Sequence, residues 1–302
     1  MVRVFAPASL SNLGPGYDTL GIGLRGVGDV VEARLTKSGN IRVKTSAPLP
    51  LDVETNTAAR AARVVLDQAG SNVGLDLTIY KGIPVGSGIG GSAASAAAGA
   101  WAANLLLEAP FQKTDLIDAV LEGESVASGG MRHGDNALPA LLGGLLLTSP
   151  ANPSDFRRIE LRRPLHFALL LPDIEILTSK ARARLPKEVP FRSSVLNAGD
   201  LAFLVHALIR GDWERLAPYM MRDRFVEPVR AACVPGYQRV REAALEAGAH
   251  GVAITGSGPA MFAIAPDAPL ASAICDAMIN ACPVPARGIA TETCAEGVRS
   301  CA

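Results

Sequence analysis

The sequence predicts an α+β fold in two lobes with a cleft between them, and three observations carry the prediction. A chain of 302 residues exceeds what one hydrophobic core usually organises, which points to about two domains. Strand-like and helix-like segments are mixed without the regular rhythm of a doubly wound parallel sheet. The cluster Pro150-Ala151-Asn152-Pro153 is the strongest breaker near the middle of the chain, and it divides residues 1–150 from residues 151–302.

In chain order, β-branched or alternating runs at 2–5, 27–35, 41–45 and 75–80 read as strands. Between them, 56–69 repeats its apolar positions at helical spacing, with Asn56 or Thr55 as the cap. Residues 92–107 are almost continuous Ala, Leu and Trp with small side chains on every face, which predicts a buried helix at the centre of the first lobe. An amphipathic helix over 114–128 ends at the breaker Ser128-Gly129-Gly130, a loop follows over 131–136, and 141–148 reads as a strand. The second lobe opens with a strand at 167–171 and continues with helices over 194–209, 213–221 and 237–247. Strands at 252–255 and 261–265 flank a glycine-rich turn, and a helix over 270–281 leads to a last strand near 288–292.

Composition narrows the function. Hydrophobic residues make up 49% and charged residues 19%, with no low-complexity tract, so both lobes can bury cores. Lysine plus arginine (29) equals aspartate plus glutamate (29), which removes the electrostatic footprint of a general nucleic-acid or anionic-membrane binder. A small-molecule partner is expected. The apolar stretches at 93–107 and 137–147 are too short to span a membrane, and residues 1–7 lack a secretion pattern. Five cysteines without a Cys-x-x-Cys pair point to free thiols and a cytoplasmic location.

The most informative segment is Pro84-Val85-Gly86-Ser87-Gly88-Ile89-Gly90-Gly91-Ser92-Ala93, because its glycines run straight into a strong helix. Glycine admits left-handed backbone and close ligand approach, and the first helical turn offers unpaired N–H groups at the positive end of the dipole. Together these predict a phosphate cradle. Gly91 is followed by Ser92-Ala93 rather than Lys-Ser/Thr, which excludes a Walker A loop. A dinucleotide fingerprint at Gly86, Gly88 and Gly91 is disfavoured, because Glu108 follows Leu105-Leu106-Leu107 with no turn into a second strand.

The loop resembles the Pro-x-Gly-x-Gly-x-Gly-Ser-Ser segment of GHMP kinases, with Gly91 in place of the first paired serine. The run Ala6-Pro7-Ala8-Ser9-Leu10-Ser11-Asn12-Leu13-Gly14-Pro15-Gly16-Tyr17-Asp18 is similar to the N-terminal signature of the homoserine kinases within that family. Gly251-Val252-Ala253-Ile254-Thr255-Gly256-Ser257-Gly258-Pro259 resembles the third GHMP motif. The resemblance implies the two-domain GHMP fold, with Gly256, Ser257 and Gly258 joining residues 84–93 around ATP, and it implies a homodimer.

It also implies a site. Ser92, which could alternatively cap its helix, would ligate Mg²⁺ together with Glu124, with Glu122 as the competitor. Arg132-His133-Gly134-Asp135-Asn136 resembles the loop that separates homoserine kinases from other members, so His133 and Asn136 would face the substrate hydroxyl. Thr178 and Arg182, in Thr178-Ser179-Lys180-Ala181-Arg182, and Arg230, in Glu227-Pro228-Val229-Arg230, match substrate-binding positions. The arginines would take the carboxylate of L-homoserine, while Asn12 and Asp18 complete the site and Asp18 accepts from the ammonium group. Whether a catalytic base operates is left open. The alternatives are a mevalonate- or shikimate-type GHMP kinase and a nucleotide-binding sensor that retains the fold without catalysis.

Overall fold

Alternating apolar residues along the first 36 positions fold into one long antiparallel hairpin, β1 (Val2–Asn12) and β2 (Gly16–Thr36), in the computed structural model, which describes residues 1–301. The signature over residues 6–18 therefore lies on the two strands and the turn joining them. Beside β2 runs β4 (Gly74–Tyr80), and β3 (Ile41–Thr45) pairs parallel with it. Two helices cover this sheet. α1 (Thr57–Gln68) is capped by Asn56, whose side chain accepts from the Ala59 N–H, and α2 (Gly91–Leu106) is the buried central helix. Small residues let the two approach: a Cβ on Gly99 would meet the Ala58 carbonyl oxygen at 2.2 Å.

A 3₁₀ turn at Lys113–Leu116, closed by reciprocal bonds between Gln112 and Asp115, leads into α3 (Ile117–Ser125). Where a loop and then a strand are expected, the chain forms α4 (Gly134–Leu142) and the shorter β5 (Leu145–Thr148). The apolar run is continuous, but Gly143 and Gly144 both take φ of 77°, which ends the helix and restarts the chain as a strand. Asp135 and Asn136 consequently sit on a helical first turn rather than in a loop. β2 passes so close to that turn that a Cβ on Gly21 would lie 1.6 Å from the Asp135 carbonyl oxygen. We expect Gly21→Ala to cost more than about 3 kcal/mol of stability, checked by chemical denaturation.

The expected boundary at 150 falls inside a hairpin. Residues 150–153 form the turn of a hairpin between β5 and β6 (Phe156–Ile159), so the chain stays in the first sheet until residue 159. A proline cluster breaks regular structure equally well at a hairpin turn and at a linker, which is why the two look alike in sequence. The chain also returns at its end, where β11 (Arg299–Ser300) pairs with β1. The seven-stranded sheet thus holds both ends of the chain.

The second unit is a four-stranded antiparallel sheet built from β7 (His166–Pro172), β8 (Gly251–Ile254), β9 (Met261–Ala265) and β10 (Ala286–Glu292), in the order β10-β7-β9-β8. Around it lie α5 (Thr178–Ala183), α6 (Phe191–Arg210), α7 (Trp213–Met220), α8 (Glu227–Ala231), α9 (Tyr237–Glu246) and α10 (Ala268–Ala281). The short helices α5 and α8 carry Arg182 and Arg230 to the seam between the units. Among the described residues no helix is long and apolar enough to cross a membrane.

Candidate active site

The glycine-rich loop over residues 84–92 owes its shape to its glycines: Gly86, Gly88 and Gly90 have φ of 69°, 85° and 70°. Gly90 is the N-cap of α2 and contributes no side-chain cap, so Ser92 stands inside the helix and does not cap it. A Cβ on Gly90 would meet Ser9 Oγ at 2.1 Å. The loop is also tied to the second unit. The carbonyls of Gly86, Ser87 and Gly88 accept from Ile176 N (3.3 Å), Ala260 N (3.1 Å) and Thr255 Oγ1 (3.4 Å). With these carbonyls engaged there and the Ser87 N–H turned to the Pro84 carbonyl, the loop has the amides of its glycines and the α2 N-terminus left to offer an anion.

A cleft of about 420 Å³ lies along this loop, and it brings together nearly all the sequence-derived candidates. Asn12, Asp18, Ser92, Glu124, His133, Asn136, Thr178, Arg182, Arg230, Gly256 and Ser257 line it. Ile89 and Ala93 do not, because their side chains are fully buried in the core. Gly258 packs its backbone against Gly88 instead of facing the cleft. One arm of the cleft, walled by Pro48, Leu49, Pro50 and Asn56, was not found by sequence reasoning; a prolyl pair in an unstructured stretch is its only signal.

At the centre, Glu124 is 8% exposed, and Ser92 and Ser128 donate their hydroxyls to it over 3.4 and 3.2 Å. Burial, followed by the neighbouring Asp135 charge, pushes its carboxyl up to about 8. Glu122 turns the other way and is held by Arg60 at 2.8 Å. The pair Ser92 and Glu124 supplies hard oxygen donors beside the phosphate loop, a donor set that fits Mg²⁺ when phosphate oxygens complete the shell.

At the far end, Arg182 donates two bonds to Asp18, at 2.9 and 2.8 Å. His133 Nδ1 lies 3.6 Å from the same carboxylate, while its Nε2 is buried with no hydrogen-bond partner among the described residues. Burial lowers the pKa of His133 more than Asp18 raises it, so the ring is neutral near pH 7. Tyr17, overlooked in the sequence, stacks between Arg182 and Arg230, whose guanidinium carbons lie 5.1 and 5.3 Å from its ring centre. Arg230 is 5% exposed, donates to the Gly256 carbonyl, and has an unpartnered Nε, as does Arg182. Asn12 and Asp18 take positive φ of 72° and 56°, a conformation Asn and Asp tolerate best and one that concentrates at functional turns. Asn136 is fixed to β1, accepting from Ser9 Oγ and donating to Ser11 Oγ, each at 2.9 Å. Beside it Asp135, read in the sequence only as part of a turn, is buried in the cleft with its pKa raised by burial and then by Asp18.

These buried carboxyls set the pH dependence of the ligand-free protein. Glu124 and Asp135 are raised, and Glu227 is pushed up to about 7 by burial. The folded state therefore binds protons more tightly than the unfolded chain above about pH 4, and stability falls as pH rises through these values. His133 and His250 are lowered by burial, which removes stability only on the acid side, below about 6.5. We expect the thermal midpoint without ligand to fall between pH 6.5 and pH 8.5, by roughly 1–3 kcal/mol of stability. Magnesium with nucleotide should narrow that fall, since a metal at Glu124 requires the carboxylate. Thermal denaturation at the two pH values checks both.

Two family models match the chain, the GHMP kinases N-terminal domain over residues 56–144 and the GHMP kinases C-terminal model over residues 204–284. The chain is 38% identical to the homoserine kinase of Methanococcus vannielii over 267 residues, 87% of either chain. It is 39% identical to the homoserine kinase of Arabidopsis thaliana over 273 residues, which span 87% of this chain and 73% of the plant protein. The crystal structure of homoserine kinase from Cytophaga hutchinsonii superposes with a TM-score of 0.94 at 33% identity, covering 99% of this chain and 97% of that one.

Proposed function

Because the chain belongs to the homoserine kinases of the GHMP kinase family, we propose that it transfers the γ-phosphoryl group of ATP to the side-chain hydroxyl of L-homoserine. The product is O-phospho-L-homoserine, an intermediate of threonine biosynthesis. The observation that carries this reading is the half-buried Asp18–Arg182 pair with Arg230 beside it, at the far end of a cleft whose other side is the phosphate loop. An α-amino acid head group bears both charges on neighbouring atoms, so it can exchange with this ion pair charge for charge. Its carboxylate goes to Arg182 and Arg230, and its ammonium group to Asp18. A neutral His133 beside Asp18 adds no cation to repel that ammonium. The side chain then reaches back toward Asn136 and the loop.

Phosphoryl transfer is mainly positioning and charge neutralisation, and the residues are suited to both. Asn136, rigidly held by Ser9 and Ser11, keeps one N–H and one lone pair to align the hydroxyl. Amides of Gly86 and of residues 88–91, with the α2 N-terminus, take the phosphates, and the arm at Leu49 and Asn56 takes the adenine. Ser92 and Glu124 would hold Mg²⁺, which when bound neutralises charge on the phosphates. Five unpaired cysteines support a reducing, cytoplasmic setting.

Purified protein with MgATP and a panel of L-homoserine, L-threonine, L-serine, mevalonate and shikimate, read by ADP release, tests the proposal. Turnover confined to mevalonate or shikimate would defeat it. Those acceptors lack an ammonium group, so Asp18→Asn would then change KM by less than about threefold. On L-homoserine we expect a loss of at least about thirtyfold in kcat/KM.

A further inference from the structure

Asp29 and Lys81 form a buried ion pair behind the site described above, with Lys81 and Ser95 reaching the cleft wall. Asp29 is fully buried on β2, and its four acceptor positions are all used. Oδ1 accepts from the backbone N–H groups of Gly82 and Ile83, both at 3.1 Å. Oδ2 accepts from Ser95 Oγ at 2.7 Å and from the Lys81 ammonium. Lys81 is equally saturated, since it also donates to the Gly91 carbonyl at 3.0 Å and lies 3.2 Å from Ser95 Oγ, so its three hydrogens meet three acceptors.

The bonds fall at the two ends of the phosphate loop. Residues 81–83 are where the chain enters it from β4, and Gly91 and Ser95 are in the opening turns of α2, where the chain leaves. A Cβ on Gly91 would lie 3.3 Å from the Lys81 ammonium nitrogen and 3.1 Å from Ile83 Cγ2. Glycine at the position where the resembling motif has serine thus leaves room for the ammonium. Lys81 lines the cleft, and its position near the loop would suggest a direct phosphate contact. Its donors are already committed, which argues for a different role.

We infer that Asp29, Lys81 and Ser95 are positioning residues: a buried clamp that draws the two ends of the phosphate loop together and so sets the spacing of its amides. The inference rests on reading that loop as the nucleotide cradle. A fully satisfied buried network of this kind is rigid, and removing one member leaves the others without partners. The loop's own glycines cannot supply that rigidity, because each is free to leave its left-handed conformation.

The test compares wild type with Ser95→Ala and Asp29→Asn. It measures the affinity for a non-hydrolysable ATP analogue by calorimetry, KM for ATP, KM for L-homoserine, and the thermal midpoint. Ser95→Ala removes one hydroxyl and is the variant sure to be compared if Asp29→Asn fails to fold. We expect Ser95→Ala to weaken analogue binding and raise KM for ATP by about tenfold, with KM for L-homoserine within about twofold. Asp29→Asn frees the Lys81 ammonium. The clamp requires it to weaken analogue binding further, whereas a lysine acting as a phosphate ligand would bind the analogue as tightly or tighter. Unchanged analogue affinity in Ser95→Ala, or a lowered midpoint with both KM values intact, overturns the inference. Absence of analogue binding by wild type would instead overturn the reading of the loop itself.

Discussion

Glu124→Gln is expected to lower kcat by about a thousandfold while KM for L-homoserine stays within about threefold. The amide keeps the size of the side chain and can still bond the hydroxyls of Ser92 and Ser128, so the cleft should keep its shape. What disappears is the negative charge that a hard cation needs beside the phosphates. Interactions that neutralise charge developing in the transition state act on kcat more than on ground-state binding, whereas the amino-acid head group is proposed to bind at the other end of the cleft. The same variant carries a second signature without any substrate. Wild-type Glu124 is held protonated up to about 8 and loses that proton at higher pH at a cost in stability. Glutamine has no proton to lose, so the fall in thermal midpoint between pH 6.5 and pH 8.5 should shrink in the variant. Steady-state kinetics and thermal denaturation read the two effects separately, and a variant with wild-type kcat would remove Glu124 from the site.

Arg182→Ala is expected to raise KM for L-homoserine by about a hundredfold and to change KM for ATP by less than about threefold. Two charge-assisted bonds connect this guanidinium to Asp18, and each is worth roughly 1.5–3 kcal/mol when its partner is withdrawn from water. Its removal takes away one hand of the proposed carboxylate clamp and leaves Asp18, largely buried, without its bidentate partner, with His133 at 3.6 Å and the Arg230 charge nearby. Restoring length and charge with Arg182→Lys should recover only part of the affinity, since an ammonium cannot make the paired, planar contact. The double variant Asp18→Asn/Arg182→Ala provides the control. If the two residues bind opposite ends of one zwitterion while pairing with each other, their effects will be less than additive. Equal KM values in wild type and Arg182→Ala would place the amino-acid head group elsewhere.

Local conformational rules made part of this protein legible. Left-handed glycines at 86, 88 and 90 and the alanine-rich α2 are properties of a few adjacent residues, and Asn56 caps α1 as its position suggests. The apolar run over residues 137–147 was less readable, because a helix, two glycines and a strand share one hydrophobic stretch without a change of pattern. The hairpin turn at 150–153 looks like a boundary in the sequence for a related reason: breakers report that regular structure stops, not where the chain goes next.

The sequence by itself determined the left-handed glycine loop, the helix that follows it, and the residue types that the proposed chemistry calls on, because each depends on backbone preferences and side-chain chemistry within short segments. Only the tertiary structure decided which of those residues meet. Glu122 and Glu124 are two positions apart on one helix and so face different ways, and the packing of α1, with Arg60 on its surface, decides which one sees the cleft. Asp18 and Arg182 are 164 positions apart, and Asp29 reaches Ser95 across 66. Contacts at such separations arise when sheets and helices pack, and they leave no periodic trace in the chain that forms them.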